Sequence, residues 1–306
     1  MTGAVQVASN LFGIPVNRFG NFDTEQAKYV HILRMKINEL QQGFRDGEVF
    51  YDKMGFKEIM LKARIHAPKT YSYIKNSNDF PHFWDSIKDV TEFVYKPNHL
   101  SQGRHIHVIS VVNGEYVEMD GTVRTKEFFE KLSIEILSGH HIYKGMILEE
   151  RIRSHQQLQE WYGNEGIADL RAYVLGDRYL FGKLRLPSKL SHGFANTARS
   201  ATACYVDENG IIQDGSPFMD NVSAIHPDTK KDLTGIQIPH WNKFFGTIVQ
   251  VSKLFKIPFH SVDLTVNQDG IPTVIESEKI PYLTHFTKRG AIELTEKVDN
   301  FMRSRT

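Results

Sequence analysis

Hydrophobic positions along the chain follow two rhythms. Early on they recur at helical spacing. After Asp23, the residues Tyr29, Ile32, Leu33, Ile37 and Leu40 form one stripe, with Gly43 as a stop. From Asp52, Phe56, Ile59 and Met60 share one face of a second helix that should end before Pro68. From Glu92 the texture changes to short apolar runs and alternation. Phe93–Lys96 reads as a strand, and His105–Val112 with Glu115–Met119 flank Asn113-Gly114, the strongest hairpin signal in the chain. A helix around Thr125–Leu137 precedes a strand over Gly145–Ile152. A second hairpin pairs Leu170–Leu175 with Tyr179–Leu186 across Gly176-Asp177. Residues 188–200 read as a loop. Trp241–Phe255 is helical behind Pro239, Ser261–Val266 and Thr273–Glu278 form a third strand pair, and a terminal helix covers Thr287–Met302.

Antiparallel hairpins interspersed with helices predict an α+β fold rather than a doubly wound parallel sheet. No fixed-period repeat occurs, and neither GxGxxG nor GxxxxGK[ST] is present, so solenoid, Rossmann and P-loop readings have no support. Polar stretches place domain boundaries near residue 75 and within 153–165. The expected parts are a helical N-terminal region over 1–75, a small lobe over 76–153 and a large lobe over 154–306.

Composition narrows the function class. The 306 residues are 41% hydrophobic and 24% charged, ordinary globular values. Lys plus Arg total 37 against 36 Asp plus Glu, a balance that gives no general attraction to nucleic acid or to an anionic membrane. No run approaches the roughly 20 apolar residues of a membrane span, and the first residues lack the positive charge of a signal peptide. The single cysteine, Cys204, fits a reducing compartment and reads as a small core residue. A cytoplasmic protein is the expectation, with a homodimer left open.

The sharpest chemical signal is the last strand pair. Glu276 and Glu278 are two residues apart and so share a strand face, which Asp263 can reach across the hairpin. Three converging carboxylates repel one another unless a cation neutralises them, and hard oxygen ligands suit Mg²⁺ carrying nucleotide phosphates; a solvated acidic edge is the alternative. Lysine placement is the second signal. Lys96 ends an apolar strand before a flexible loop, and Lys53 opens a helix, where its charge opposes the macrodipole unless an anion binds nearby. His105 and His107 alternate on one strand, but no third ligand has zinc spacing, so both read as solvent-side residues. His140 and His141 read as helix caps, and Trp84, Trp161 and Trp241 as packing residues.

In order along the chain, these pieces resemble the ATP-grasp superfamily, from about Asp52 to Ile280. The resemblance rests on Asp52-Lys53, FVYKPNHLSQGRHIHVI (93–109), MILEERI (146–152), ADLRAYVLGDRYLFGKLRLPSKLSHGFAN (168–196), HPDTKKDLTGIQIPHW (226–241) and VDLTVNQDGIPTVIESE (262–278). Within the superfamily the loops RLPSKLSHGFAN and HPDT…IPHW are most similar to the alpha-L-glutamate ligase-related proteins, kin of the enzymes that add glutamate to a ribosomal-protein C-terminus.

The resemblance implies two α+β lobes with a nucleotide cleft between them, behind a short helical region. It also implies ATP and Mg²⁺ as cofactors, and joining of a carboxylate to an amine through an acylphosphate. An amino acid or peptide is the implied substrate. Lys53 and Lys96 would contact phosphates, under a loop of Ser101, Gln102, Gly103 and Arg104. Glu149, Glu150 and Ile152 would frame adenine, the last two through their backbones, and Asp169 would meet the ribose. Asp263, Glu276 and Glu278 would bind magnesium, while Arg171, Arg185 and Asn196 would face the γ-phosphate or the acceptor carboxylate.

Three departures stand out. Glu278 replaces the usual Asn of an E-x-N pair, the LSQGRH loop has a single glycine, and the region before Lys53 is short for the superfamily's usual N-terminal domain. A kinase on the same scaffold and a non-catalytic nucleotide-binding protein are the alternatives. His192, where relatives tend to carry Asp, is a further candidate acceptor contact.

Overall fold

The structure is a computed structural model that describes residues 24–42, 44, 49–100, 103–163, 165–279, 281, 283 and 285–305. Asp23 and Gly43 lie outside the described residues. Two six-stranded sheets, antiparallel throughout, carry the fold, which bears out the α+β expectation.

The first sheet runs in the order β1 (Thr70–Ile74), β6 (Met146–Glu150), β2 (Glu92–Pro97), β3 (His107–Val112), β4 (Glu115–Glu118) and β5 (Val123–Arg124). The β3–β4 hairpin turns at Asn113-Gly114, both at positive φ, the conformation that matches the right-handed twist of the flanking strands. Strand alternation divides the sheet into two faces. Phe93, Tyr95, Met146 and Leu148 point into a core with Phe83 of α3 (Phe80–Ser86) and Phe129, Leu132 and Ile136 of α4 (Lys126–Ser138). Val94, Lys96 and Glu149, on intervening positions, point the other way and line a cavity.

In the second sheet the order is β10 (Ile212–Gln213), β9 (Thr202–Val206), β8 (Arg178–Leu186), β7 (Asp169–Leu175), β11 (Phe259–Val266) and β12 (Pro272–Glu278). One face packs Leu170, Ala172, Leu184, Cys204, Val262 and Val274 against α2 (Lys53–Lys62), α5 (Gln156–Tyr162) and α6 (Trp241–Leu254). The opposite face is split. Phe181, Tyr205 and Phe259 are covered by α1 (Thr24–Leu40) and α7 (Lys288–Arg303), while Tyr173 both packs in this core and lines the cavity. Arg171, Lys183, Arg185 and Glu276 look into the cavity instead. The site is therefore the part of this face that the two helices leave uncovered.

The N-terminal region differs from the expectation of a separate part ending near residue 75. The buried stripe of α1 is Val30, Leu33, Ile37 and Leu40, with Tyr29 packed beside it. It joins α7 over the second sheet, where Lys36 pairs with Asp299 at 3.1 Å. Helix α2 packs into the other core of that sheet, whereas β1 is already a strand of the first. Pairing and burial between residues far apart in sequence override the polar stretch at 75. Among the described residues no helix is long and apolar enough to cross a membrane.

Three histidine readings change, those of His107, His140 and His141. His107 meets Glu118 at 3.0 Å and the Phe128 ring at 5.1 Å, so it is an inward residue; His105 is exposed, as expected, in a turn at positive φ. Gly139 closes α4, and His141 stacks on His99 at 4.4 Å.

Asn98 ties α2 to the first sheet. Its backbone N–H donates to Gly145 O, its Oδ1 accepts from Met54 N–H at 2.9 Å, and its Nδ2 donates to Asp52, Tyr73 and Tyr143. It thereby satisfies an N-terminal donor of α2 that the Asp52 side chain does not cap. Asn98→Ala takes the Asn98 partner from that half-buried N–H and from the Asp52 carboxylate. We expect a loss of about 1–3 kcal/mol in denaturant unfolding, and an unchanged midpoint would show that Asn98 does not hold the helix.

Candidate functional site

One cavity of about 1010 Å³ lies between the sheets. The first sheet supplies Val94 and Val108, cross-strand partners on β2 and β3, and the polar group around Glu149. Glu149 is a buried acid that meets Lys96 Nζ through Oε1 and Lys57 Nζ through Oε2, each at 2.5 Å. Burial alone would raise its carboxyl, but Lys96 and Lys57 hold it below its ordinary value. Lys53, at the start of α2, donates to Leu100 O at 2.7 Å and lies 3.7 Å from Glu276 of the other sheet. Burial pushes its ammonium down, against the pull of Glu276.

On the second sheet, register makes a single row. Lys183 lies opposite Arg171, Arg171 opposite Asp263, and Asp263 opposite Glu276; one step along, Asp169 faces Arg185. Arg171 reaches Asp263 through two hydrogen bonds of 2.8 and 2.7 Å and Glu278 at 2.8 Å. Arg185 makes two bonds to Asp169, at 2.5 and 2.6 Å, and one to Asp263 at 2.7 Å. Burial would raise Asp263, yet Arg171 and Arg185 hold it at about 2. Burial lifts Glu278, which Arg171 opposes.

The sequence-based candidates are thus brought largely to one cavity, with particular differences. Lys53, Lys96, Glu149, Glu150, Ile152, Asp169, Arg171, Arg185, Asn196, Glu276 and Glu278 line it. The Glu149 carboxylate is engaged by two lysines, and the Asp169 carboxylate by Arg185, so neither side chain stands open as an edge for adenine or ribose. The Glu150 N–H donates to Lys69 O at 2.8 Å and so is not open to a base. Asn196 Oδ1 caps its own short turn by accepting from Ala198 N–H. Gly103 lines the cavity at positive φ, and Arg199 donates to its carbonyl at 2.7 Å, joining this loop to the 193–198 segment. Arg104 is exposed and does not line the cavity; Ser101 and Gln102 lie outside the described residues.

Side-chain oxygens of Asp263, Glu276 and Glu278 all lie within 4.8 Å of one another. Three carboxylates of this kind fit a hard divalent cation, for which Mg²⁺ requires oxygens at about 2.0–2.1 Å. Two arginines already compensate Asp263 and Glu278, so the third acid raises negative charge less than the sequence suggests. Sequence reasoning missed Lys57, one helical turn after Lys53, and Lys183, two residues before Arg185 on the same strand face. Both spacings were visible, but only the register shows what each side chain meets.

Among curated proteins no sequence matches the chain. Solved structures that align with the chain include the ATP-grasp ligase PsnB complexed with minimal precursor, at 13% identity and TM-score 0.46 over 86% of this chain and 62% of that one. The D-alanine–D-alanine ligase of Bacillus anthracis complexed with ATP aligns at 11% identity and TM-score 0.48, over 84% of this chain and 68% of that one. The D-cycloserine synthetase DcsG aligns at 13% and 0.46, over 82% and 70%. The chain spans about three fifths of the PsnB length, and likenesses this distant carry no residue roles. The family whose sequence model matches residues 38–300 is described as sugar-transfer associated ATP-grasp, so the likeness to glutamate-adding relatives stays with the loops that carry it. That match covers every strand of both sheets, and the chain belongs to the sugar-transfer-associated ATP-grasp family.

Proposed function

We propose that the chain is an ATP- and Mg²⁺-dependent carboxylate–amine ligase. The observation that carries this reading is one cavity with Lys53 and Lys96 on one side and an acid–arginine row on the other. Joining a carboxylate to a triphosphate brings two anions together, so catalysis rests mainly on positioning and on neutralising charge. Lys53 and Lys96 would hold phosphate oxygens, and Gly103 with its neighbours would cover them. Val94, Val108 and Ile152 would flank the base.

Asp263, Glu276 and Glu278 would hold Mg²⁺, whose chemistry is to neutralise phosphate charge. Arg171 and Arg185 would face the transferred phosphoryl group. The carboxylate oxygen attacks the γ-phosphorus and ADP leaves. The neutral amine then attacks the acyl carbon, phosphate leaves, and the amine's proton goes to that phosphate. The amine and acid partners would be amino acids or peptides. A second reading follows from the family's association with sugar transfer: sugars offer hydroxyls, and a reaction that ends with a phosphorylated hydroxyl would make the protein a kinase. An amide with free phosphate supports the ligase; a stable phosphate ester supports the kinase.

Two measurements bear on this reading. Lys96→Ala should lower nucleotide-dependent ADP release by about 10² or more, while Lys57 keeps Glu149 paired and the fold intact. ADP release at the wild-type rate in this variant would remove Lys96 from the machinery. Separately, Asp263 and Glu276 should differ in what they support. Asp263→Ala takes from each of two buried arginines one of its two acids and should cost about 3–5 kcal/mol at pH 7. The Asp263 carboxyl lies at about 2 when folded against an ordinary 3.8. Its stabilisation is therefore full above about pH 4 and lost as pH falls toward 2, so the gap between variant and wild type should narrow over that window. Glu276→Gln, whose partner is Lys53 at 3.7 Å, should change stability by about 1 kcal/mol or less while raising the Mg²⁺ concentration needed for half-maximal turnover. An unchanged Mg²⁺ requirement would take Glu276 out of the metal site.

A further inference from the structure

Lys183 is a cavity residue that the motif resemblance leaves unassigned. It is 5% exposed, lines the cavity, and lies on β8 directly opposite Arg171. Its surroundings are unlike those of the two arginines beside it. Arg171 is met by Asp263 and Glu278, and Arg185 by Asp169 and Asp263. Lys183 has no ion pair and no side-chain hydrogen bond among the described residues. The acid whose field reaches it, Asp169, is committed to Arg185 by two hydrogen bonds. A buried ammonium without a counter-ion is unfavourable, and such groups persist where they face a ligand rather than packed protein. Tyr173 of β7 and His285, from the segment before α7, line the cavity too, and His285 feels the charges of Lys183 and Arg171.

We propose that Lys183, with Tyr173 and His285 beside it, forms a subsite for an oxyanion, carboxylate or phosphate, carried by the substrate that is not the nucleotide. The term substrate rests on the ligase reading; the anion site is a property of the cavity alone. Burial, then Arg185 and Arg171, push the Lys183 ammonium down to about 7, so an arriving anion would draw a proton onto it. The groups facing it at that pH are fixed in charge. Burial, with the charges of Lys183 and Arg171, takes His285 to about 4, and burial raises Tyr173 and Tyr205 of β9 to about 12, leaving all three neutral. Arg171 and Arg185 are cationic. Asp169, lifted by burial to about 6, is ionised, and Asp220 and Gln26 lie at the cavity rim.

Calorimetric titration of the full chain with L-glutamate and, separately, inorganic phosphate tests the subsite, with Mg²⁺ and a non-hydrolysable ATP analogue already bound and again without them. At least one probe should bind the wild type with proton uptake at pH 7.5, seen as a heat that depends on buffer ionisation. Which probe binds tells carboxylate from phosphate. Lys183→Met should weaken that binding by about tenfold or more, Lys183→Arg should retain it, and both should bind the analogue as the wild type does. Removing a buried unpaired amine should also leave the Lys183→Met melting temperature equal to the wild-type value or higher by about 2–4 °C. Unchanged probe affinity in Lys183→Met, or no binding of either probe to the wild type at millimolar concentration, overturns the subsite. Failure of the analogue to bind counts against the ligase reading instead, because the titration without nucleotide still decides the role of Lys183.

Discussion

Asp263 accepts hydrogen bonds from two guanidinium groups at once, and the floor of the cavity is organised around that junction. Arg171 comes from β7, Arg185 from β8 and the acid itself from β11, so side chains repeat the cross-strand connection that the backbone ladder makes. A buried acid or guanidinium alone would be severely destabilising; the three together satisfy one another. Because the arginines also reach Asp169 and Glu278, four charges of the row become interdependent through Asp263. The two remaining groups, Glu276 and Lys183, are the ones this lattice leaves to face the cavity on weaker terms.

Legibility in the sequence follows how local each determinant is. The Asn113-Gly114 turn and the hairpins at Gly176 and Gly270 are set by adjacent residues, and all three are visible as pattern. The convergence of Asp263, Glu276 and Glu278 needs only strand alternation and a hairpin, and it is present in the fold. Helix α1 is different. Its stripe is readable, but nothing near residue 30 says that it will lie against α7, some 260 residues later, over the second sheet. The same holds for β1, which looks like the tail of a helical region until β6 pairs with it.

Side-chain partners were the least readable feature, for a physical reason. Position along a strand tells which face a residue takes, while the identity of its neighbour depends on the register of another strand. Asp169 and Arg185 are 16 residues apart, and a bulge between Tyr173 and Val174 helps set the register that brings them face to face. Glu149 carries the same lesson: an acid at a strand end suggests a binding edge, whereas Lys57 from α2 and Lys96 from β2 converge on it.

The two walls of the cavity also solve the problem of buried charge in different ways. On the second sheet each arginine is divided between two acids, so taking one away disturbs several pairs. On the first, Glu149 divides its two oxygens between two lysines, and the lysines are separable. On the ligase reading, a phosphate that claims Lys96 would leave Glu149 still compensated by Lys57, which Thr70 Oγ1 helps to hold at 3.0 Å. Lys96 could then change partners without exposing a naked carboxylate in a dry site. A preorganised cation of this kind needs little rearrangement at the moment charge develops, which is where electrostatic catalysis gains most. The rigid arginine lattice opposite and the exchangeable lysine pair are therefore complementary: one fixes the geometry of the cleft, and the other lets an anion enter it.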